Sequence, residues 1–272
     1  MEVPGSDATF AGSIPELYDT HLVPLIFEPY AQDLARRAVA LAPGRVLEVA
    51  AGTGVVTRAL AKMLPTAVDL VATDLNAPML ARAAAVGTAR PVTWQQADAM
   101  QLPFESASFD LVVCQFGVMF FPDRAAAFAQ ARRVLRPGGT FLFNVWDRIE
   151  TNEFADVVTA ALATLFPADP PRFMARTPHG YFDRAQIARD LAAGGFVAAP
   201  EIATVTARSR APSALAAAIA YCQGTPLRNE IETRAAGDLA EATRISAKAL
   251  EARFGSAAID GQIQAHVVMA RN

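Results

Sequence analysis

The stretch RVLEVAAGTGVVTRAL, residues 45–60, decides the fold, because an apolar run gives way to five small residues and then resumes. The residues before Ala50 are typical of a buried strand, and those after Gly54 are typical of a helix. A glycine-rich turn between a parallel strand and a helix presents free backbone N–H groups to a ligand at the carboxyl edge of a sheet. Plain tight connections have the same composition, so this turn alone is a weak signal.

Strands and helices alternate on both sides of this turn. Strand-like segments recur as VDLVATD (68–74), VTWQQAD (92–98), FDLVVCQF (109–116), TFLFNVW (140–146), EIATVTARS (201–209) and IQAHVVMARN (263–272). Helical segments of about ten residues separate the first of these, which indicates βαβ units and a parallel sheet. We therefore predict an α/β fold with a Rossmann-like, doubly wound sheet of seven strands, mostly parallel with an antiparallel last strand.

The remaining segments are predicted to be helical. Residues 1–42 form an N-terminal helical cap in which Pro24 and Pro29 break the helical pattern into short pieces. Residues 43–209 and 259–272 form the core, and residues 210–258 form a helical insertion between the last two strands. Connections this long are usually functional, so the insertion is predicted to act as a lid.

Composition narrows the classes of partner. The formal charge of −3 and the pI near 5.7 give no electrostatic footprint for nucleic acid. Cys114 and Cys222 are too few for a disulfide framework, and no cluster has the spacing of metal ligands. No signal peptide or membrane-spanning run is visible, so we expect a cytoplasmic protein with a small-molecule partner and no membrane insertion.

Three carboxylates accompany the turn. Asp74 ends the second strand about twenty residues past the glycines, where a carboxylate accepts hydrogen bonds from ribose hydroxyls in enzymes of both nicotinamide and adenosyl cofactors. Glu48 interrupts the first apolar strand. Asp98 follows the third strand, where it can accept a hydrogen bond from an adenine amino group. The ribose is supported by these residues, and the choice of cofactor stays open.

Four segments in this order resemble motifs of one enzyme family: VLEVAAGTG (46–54), ATDLNAPML (72–80), QADAMQLPF (96–104) and RVLRPGG (133–139). Over about residues 40–147 the sequence resembles the class I S-adenosylmethionine-dependent methyltransferases, particularly the small-molecule group related to ubiquinone and menaquinone methyltransferases. Ala50 departs from the family, which often has glycine there. We expect this alanine to leave the turn intact if the position does not need a positive φ.

The resemblance implies adenosylmethionine as the cofactor and methyl transfer to a small, apolar or aromatic metabolite as the reaction. The implied cofactor-binding residues are Tyr18, Ala50, Gly52, Gly54, Asp74, Leu75, Met79, Asp98, Ala99, Met100, Gln115 and Phe116. Candidates for the acceptor pocket are Phe27, Phe120 and Tyr221, and candidates for a general base are His21 and His179. An NAD(P)-dependent oxidoreductase and a non-catalytic adenosyl-cofactor-binding module remain as alternatives.

Overall fold

The computed structural model describes residues 7, 10, 12–234 and 238–272. The seven strands are β1 (Arg45–Glu48), β2 (Asp69–Asp74), β3 (Thr93–Gln96), β4 (Phe109–Gln115), β5 (Leu135–Trp146), β6 (Glu201–Ala211) and β7 (Ile259–Arg271). The α-helices are α1 (Ile14–Leu17), α2 (Glu28–Ala40), α3 (Val55–Met63), α4 (Ala77–Val86), α5 (Arg124–Val134), α6 (Glu153–Leu165), α7 (Phe173–Arg176), α8 (Arg184–Ala193), α9 (Ala214–Gln223), α10 (Leu227–Glu232) and α11 (Leu239–Phe254).

All seven strands belong to one sheet in the order β3-β2-β1-β4-β5-β7-β6. The pairs β1–β2, β1–β4, β2–β3 and β4–β5 are parallel. Along β7 the bonds to β5 run in the opposite sense, since the Asn272 carbonyl accepts from Gly138 N–H while the Gln264 carbonyl accepts from Asp147 N–H. The predicted sheet, with an antiparallel last strand, is confirmed. The strand order reverses between β1 and β4, and in such sheets ligands bind at this switch point.

The chain forms two compact units. The sheet unit comprises Glu28–Val145, Tyr181–Val205 and Ala265–Asn272, and the helical unit comprises Met1–Phe27, Trp146–Gly180 and Thr206–Gln264. These bounds differ from the predicted division into cap, core and insertion, whose separate roles stay predictions.

Helices cover both faces of the strands in the sheet unit. On one face, Leu34 of α2 and Leu60 of α3 belong to a buried cluster with Val46, Leu111 and Leu142. On the other face, Phe128 of α5 packs its ring 5.6 Å and 5.5 Å from those of Phe141 and Phe143. Leu142 and its two neighbours in β5 point to opposite faces, as the period of a strand requires. The near-continuous apolar strands are therefore explained by burial on both sides.

The helical unit contains the predicted insertion, which forms α9, α10 and α11 between β6 and β7. Helix α11 packs against α9 and α6, and α9 also packs against a π-helix of residues Tyr18–Phe27. The prediction that Pro24 breaks the helical pattern is wrong, because this π-helix runs through Pro24. Proline disrupts an α-helix through the missing bond and the clash at i−4, whereas a π-helix bonds over five residues. Pro29 lies in the first turn of α2, where proline is tolerated.

Strand β5 is longer than predicted. It begins at Leu135, so RPGG (136–139), whose composition is typical of a turn, lies within the strand ahead of the predicted segment TFLFNVW. Its pairing with β4 shifts register between Phe109 and Leu111, which accommodates these residues as a local irregularity. Among the described helices, none is both long enough and apolar enough to cross a membrane.

Candidate functional site

The glycine-rich turn after β1 has three residues at positive φ: Ala50 at 54°, Gly52 at 58° and Gly54 at 83°. Alanine at position 50 was expected to be harmless only if no positive φ was needed, and that condition is not met. An L-residue in the left-handed region costs about 1–2 kcal/mol. The turn therefore stores backbone strain at Ala50, and such strain is concentrated at functional sites.

The N–H groups of this turn are largely used inside the protein. Ala51 N–H donates to the Thr73 carbonyl at 2.9 Å, and Gly54 N–H donates to the Ala51 carbonyl at 2.9 Å. Gly52 N–H donates to Asp74 Oδ2 at 2.8 Å. The prediction of free N–H groups is wrong for these three positions. The turn offers a ligand close approach to its backbone rather than a row of unused donors.

The two glycines of the turn are required for different reasons. A Cβ on Gly54 would lie 2.9 Å from Trp94 Cη2 and 3.1 Å from Ala83 Cβ, so close packing of the protein itself excludes a side chain. A Cβ on Gly52 would meet only Met79 Cε, at an ordinary 3.6 Å, so positive φ is the constraint there. Met79, a predicted cofactor residue, is buried directly against the turn.

Asp74, at the carboxyl end of β2, joins this strand to the turn. Besides Gly52 N–H, its carboxylate accepts Asn76 N–H at 2.7 Å on Oδ1, and the residue is only 6% exposed. Burial raises the pKa of Asp74, against the lowering effect of the bonds from Asn76 and Gly52. The adjacent Leu75 is 52% exposed, an unusual position for a large apolar side chain.

The segment after β3 is shaped by Asp98. Its Oδ1 accepts Met100 N–H at 2.8 Å, and its carbonyl accepts Gln101 N–H at 3.0 Å. Asp98 is exposed, whereas Ala99 and Met100 are half-buried. Because β3 pairs with β2, these residues follow the same edge of the sheet as Asp74.

The end of β4 faces the turn across the switch point. Phe116 has φ 50°, the second strained non-glycine residue at this edge after Ala50. A Cβ on Gly117 would lie 2.6 Å from both Ala50 Cβ and Cys114 Sγ, so the two segments touch. The structure thus brings Ala50 close to the end of β4, where Phe116 and the half-buried Gln115 lie.

Glu48, noted in the sequence but given no role, is almost fully buried at 1% exposure. The Thr57 hydroxyl donates to its Oε2 at 2.6 Å. Burial raises the pKa of Glu48 to about 8, although the Thr57 bond and the charge of Arg58 lower it. Its carboxyl group is therefore largely protonated at neutral pH. Cys114 is also fully buried, and burial raises the pKa of its thiol, so it packs as a small core residue.

Three other predicted residues, Tyr18, Phe27 and His179, lie in one row of aromatic rings in the helical unit. We use the name ring row for Phe10, Tyr18, Phe27, Trp146 and His179. Successive ring centroids along this row are 5.9, 5.1, 6.0 and 5.9 Å apart, and the Tyr18 and Phe27 rings are stacked. Phe10 and Trp146 were missed, because residues far apart in sequence give no signal of a shared row.

His179 ends the ring row as a buried, oriented imidazole. It is 4% exposed, and its Nδ1 lies 2.9 Å from the Asp147 carbonyl oxygen. A carbonyl can only accept, so Nδ1 carries the proton and Nε2 keeps the lone pair. Burial lowers the pKa of His179 to about 4, despite the Asp147 bond, so the ring is neutral at pH 7.

The other candidates lie apart from these arrangements. His21 is half-buried in the π-helix and makes no ring contact with the row among the described residues. Tyr221 is buried in α9, where burial raises its pKa. Phe120 is half-buried in a single 3₁₀ turn, Val118–Phe120. Across the described part of the chain, no three His, Cys, Asp or Glu side chains are grouped to hold a metal.

Residues 47–143 match the family described as a methyltransferase domain. This segment of the chain is therefore similar to a methyltransferase domain, and the resemblance predicted from the four motifs is confirmed. A demethylmenaquinone methyltransferase of Deinococcus radiodurans is 40% identical over 107 residues, covering 39% of this chain and 44% of that protein. The ubiquinone/menaquinone biosynthesis C-methyltransferase UbiE of Caulobacter sp. (strain K31) is 36% identical over 135 residues, covering 46% and 50%. The aligned segment thus spans half or less of these relatives.

Solved structures share the fold over a larger part of the chain. A SAM-dependent methyltransferase of Thermotoga maritima has a TM-score of 0.53 at 14% identity and covers 95% of this chain and 97% of its own. The [4+2]-cyclase SpnF has a TM-score of 0.55 at 18% identity and covers 90% and 81%. At these identities the likeness shows the fold alone, and the second neighbour is named for a different reaction.

Proposed function

We propose that the protein is an S-adenosylmethionine-dependent methyltransferase whose acceptor is a small, apolar or aromatic metabolite. The observation that carries the proposal is the strained, side-chain-poor turn at the switch point, locked to the buried carboxylate Asp74 inside the segment that matches the methyltransferase domain. Both features allow a nucleoside to approach the backbone closely and to meet a hydrogen-bond acceptor for its ribose.

Each predicted cofactor residue of the sheet unit has a role in this proposal. Asp74 is proposed to accept the ribose hydroxyls beside, or in exchange for, its present bonds from the backbone of Gly52 and Leu75 and from the backbone and side chain of Asn76. Leu75 and Met79 pack against the adenine, and Asp98 accepts from its amino group. The turn itself lies beneath the nucleoside. The proposed set also includes Ala50, Gly54, Ala99, Met100, Gln115, Phe116 and, in the helical unit, Tyr18.

Adenosylmethionine would supply a methyl group on a sulfonium; the bond from the acceptor atom to the methyl carbon would form in line as the carbon–sulfur bond breaks and the sulfur leaves as a thioether. The protein's part is to align acceptor and donor and to exclude water, and alignment contributes several kcal/mol. A base is needed only for an acceptor that carries a proton of high pKa. His179 is our first choice, because the Asp147 carbonyl fixes its tautomer with Nε2 as an acceptor. His21 is the second.

The acceptor class rests on the relatives and on the ring row. Two relatives are named for methyl transfer in menaquinone or ubiquinone biosynthesis, and a ring-bearing acceptor suits stacking beside Tyr18 and Phe27. Phe27, Phe120 and Tyr221 are the proposed pocket residues. Residues 1–42 and 210–258 are proposed to act as cap and lid. A cytoplasmic setting and the lack of a nucleic-acid partner remain predictions.

Two alternatives remain. An NAD(P)-dependent oxidoreductase would share the turn and Asp74, although Asp98 and the motif order disfavour it. A cofactor-binding protein without methyl transfer is the other, and the fold is also that of SpnF, which is named for a [4+2]-cyclase reaction. The fold therefore does not decide the reaction.

Transfer of a labelled methyl group tests the proposal. The purified protein is incubated with methyl-labelled adenosylmethionine and a panel of phenols, hydroquinones and apolar amines, and labelled products are separated. The proposal predicts label in at least one ring-bearing acceptor and no binding of NAD or NADP. Hydride transfer with a nicotinamide cofactor would contradict it. Tight adenosylmethionine binding with no transfer to any acceptor would favour the non-catalytic alternative.

A further inference from the structure

Asn144 is a polar residue that the sequence hides inside the apolar strand TFLFNVW (140–146). It is completely buried, between Phe143 and Val145, and pairs in register with Gln115 at the carboxyl end of β4. Its Oδ1 accepts Phe116 N–H at 2.8 Å, while its Nδ2 is buried with no hydrogen-bond partner among the described residues. An unsatisfied buried donor destabilises a protein, so an asparagine here needs a compensating role.

That role is visible at Phe116. Phenylalanine at φ 50° is a strained conformation, which persists only where the surroundings over-determine it. The side-chain oxygen of Asn144 supplies one restraint by accepting the Phe116 N–H. The backbone carbonyl oxygen of Asn144 lies 3.3 Å from the same nitrogen and supplies a weaker restraint. The Tyr30 ring stands edge-on to the Phe116 ring at 5.3 Å and supplies a third. Only the first of these depends on the amide of Asn144.

The conformation of Phe116 decides what the end of β4 presents at the switch point. A positive φ turns the chain sharply after Gln115 and brings Gly117 against Ala50, where there is no room for another Cβ. Relaxation of Phe116 to negative φ would move the residues on both sides of this contact. The position of Gln115 and Phe116 is therefore coupled to the Asn144 amide.

We propose that Asn144 is a positioning residue for the cofactor site: it holds Phe116 in the left-handed conformation and thereby sets the end of β4 against the glycine-rich turn. The inference rests on the proposed function, because Gln115 and Phe116 are proposed cofactor residues. If the left-handed conformer were only partly populated, the apparent affinity for the cofactor would fall in proportion to that population. Asn144 itself touches no ligand in this proposal.

The test is a double-mutant cycle read by calorimetric titration with adenosylmethionine. Asn144→Val, which suits a buried strand and lacks the acceptor oxygen, should weaken binding about five- to tenfold in the parent chain. Phe116→Gly removes the steric penalty at positive φ. In that background, Asn144→Val should weaken binding by less than twofold. A role of Asn144 in general packing would give the same loss in both backgrounds, and that result would overturn the proposal.

Thr140 provides the matched control, since it is a buried polar residue in the middle of the same strand, paired with Leu111. Thr140→Val should leave affinity unchanged. Asn144→Ser serves if the valine variant does not fold, and failure of both while Thr140→Val folds would make Asn144 a folding requirement and contradict the proposal. Equal affinities of parent and Asn144→Val would contradict this inference alone. Absence of binding by the parent would remove the proposed function, and this inference with it.

Discussion

Replacing Glu48 by glutamine should make the stability of the protein less sensitive to alkaline pH. The Glu48 carboxyl is 1% exposed and accepts the Thr57 hydroxyl, and burial raises its pKa from 4.5 to about 8. Between these values the folded protein keeps the proton that the unfolded chain has released. Stability from this group is therefore fully present below pH 4.5 and is lost as the pH rises toward 8, by up to about 1.4 kcal/mol per pH unit.

Glutamine mimics the protonated carboxyl group in shape and can still accept the Thr57 bond. Between pH 6.5 and 8 the free energy of unfolding of the parent should fall by about 1.5–2 kcal/mol because of Glu48. The free energy of unfolding of Glu48→Gln should not show this fall. His179, whose pKa burial lowers to about 4, changes stability mainly below pH 6.5 and does so in parent and variant alike. Asp74 also has a raised pKa, and because its charge is one cause of the raised pKa of Glu48, its own titration is coupled to Glu48 and differs between the two proteins.

The assay is urea unfolding of parent and variant at several pH values within this window. Glu153→Gln, on α6, is the control for the loss of a carboxylate. As the pH rises, the free energies of unfolding of the parent and the control should fall together, while that of Glu48→Gln should stay more constant. Parallel pH dependences of all three proteins would refute the assignment of a neutral, buried carboxyl group to Glu48.

Three further predictions concern the turn, metals and the insertion. Ala50→Gly should raise the free energy of unfolding by about 0.5–1 kcal/mol, because relief of the strain at positive φ outweighs the entropy that glycine adds to the unfolded chain. Ala51→Gly, the control, should lower the free energy of unfolding. A loss of stability in both variants would show that Ala50 is not strained. Methyl transfer should be unchanged by EDTA, and a loss that magnesium restores would show a metal requirement. Replacement of residues 212–254 by a short turn should abolish transfer while adenosylmethionine still binds, and full activity of the shortened protein would rule out the lid.

The order of strands and helices could be predicted because each element has a local signature. Apolar runs of four to seven residues, punctuated by glycine and proline, located β1, β2 and β4 within a few residues. The prediction of a helix break at Pro24 was wrong, because the rule for proline applies to α-helices and the local sequence gives no signal of a π-helix. The first residues of β5 were also missed, since pairing with β4 overrides the turn composition of RPGG.

The site could be predicted only where chemistry depends on residues next to one another in sequence. The turn has such a local signature, and Asp74 was proposed from its place at the end of a predicted strand; their role in binding a cofactor stays a prediction. Backbone strain at Ala50 and Phe116, by contrast, arises from contact between two loops more than sixty residues apart, and the contact of Gly54 with Trp94 comes from a third strand. Such constraints exist only in the folded protein. The sequence contains one signal for Asn144, which is a lone amide within an apolar strand. Its role could be interpreted only once its hydrogen bond from Phe116 N–H was known.

The most direct test of the central claim is the affinity of adenosylmethionine for the parent and for Asp74→Ala, measured by calorimetry. Loss of hydrogen bonds to a charged acceptor costs about 1.5–3 kcal/mol, so binding should weaken about 10- to 150-fold. Asp69→Ala, at the exposed start of the same strand, where Asp69 pairs with Arg45, should bind as the parent does. The parent should bind the 2′-deoxy analogue of adenosylmethionine more weakly than adenosylmethionine itself. Asp74→Ala should bind the two ligands with nearly the same affinity. Equal binding of adenosylmethionine by parent and Asp74→Ala would contradict the assignment of the ribose to Asp74, and with it the proposed cofactor site.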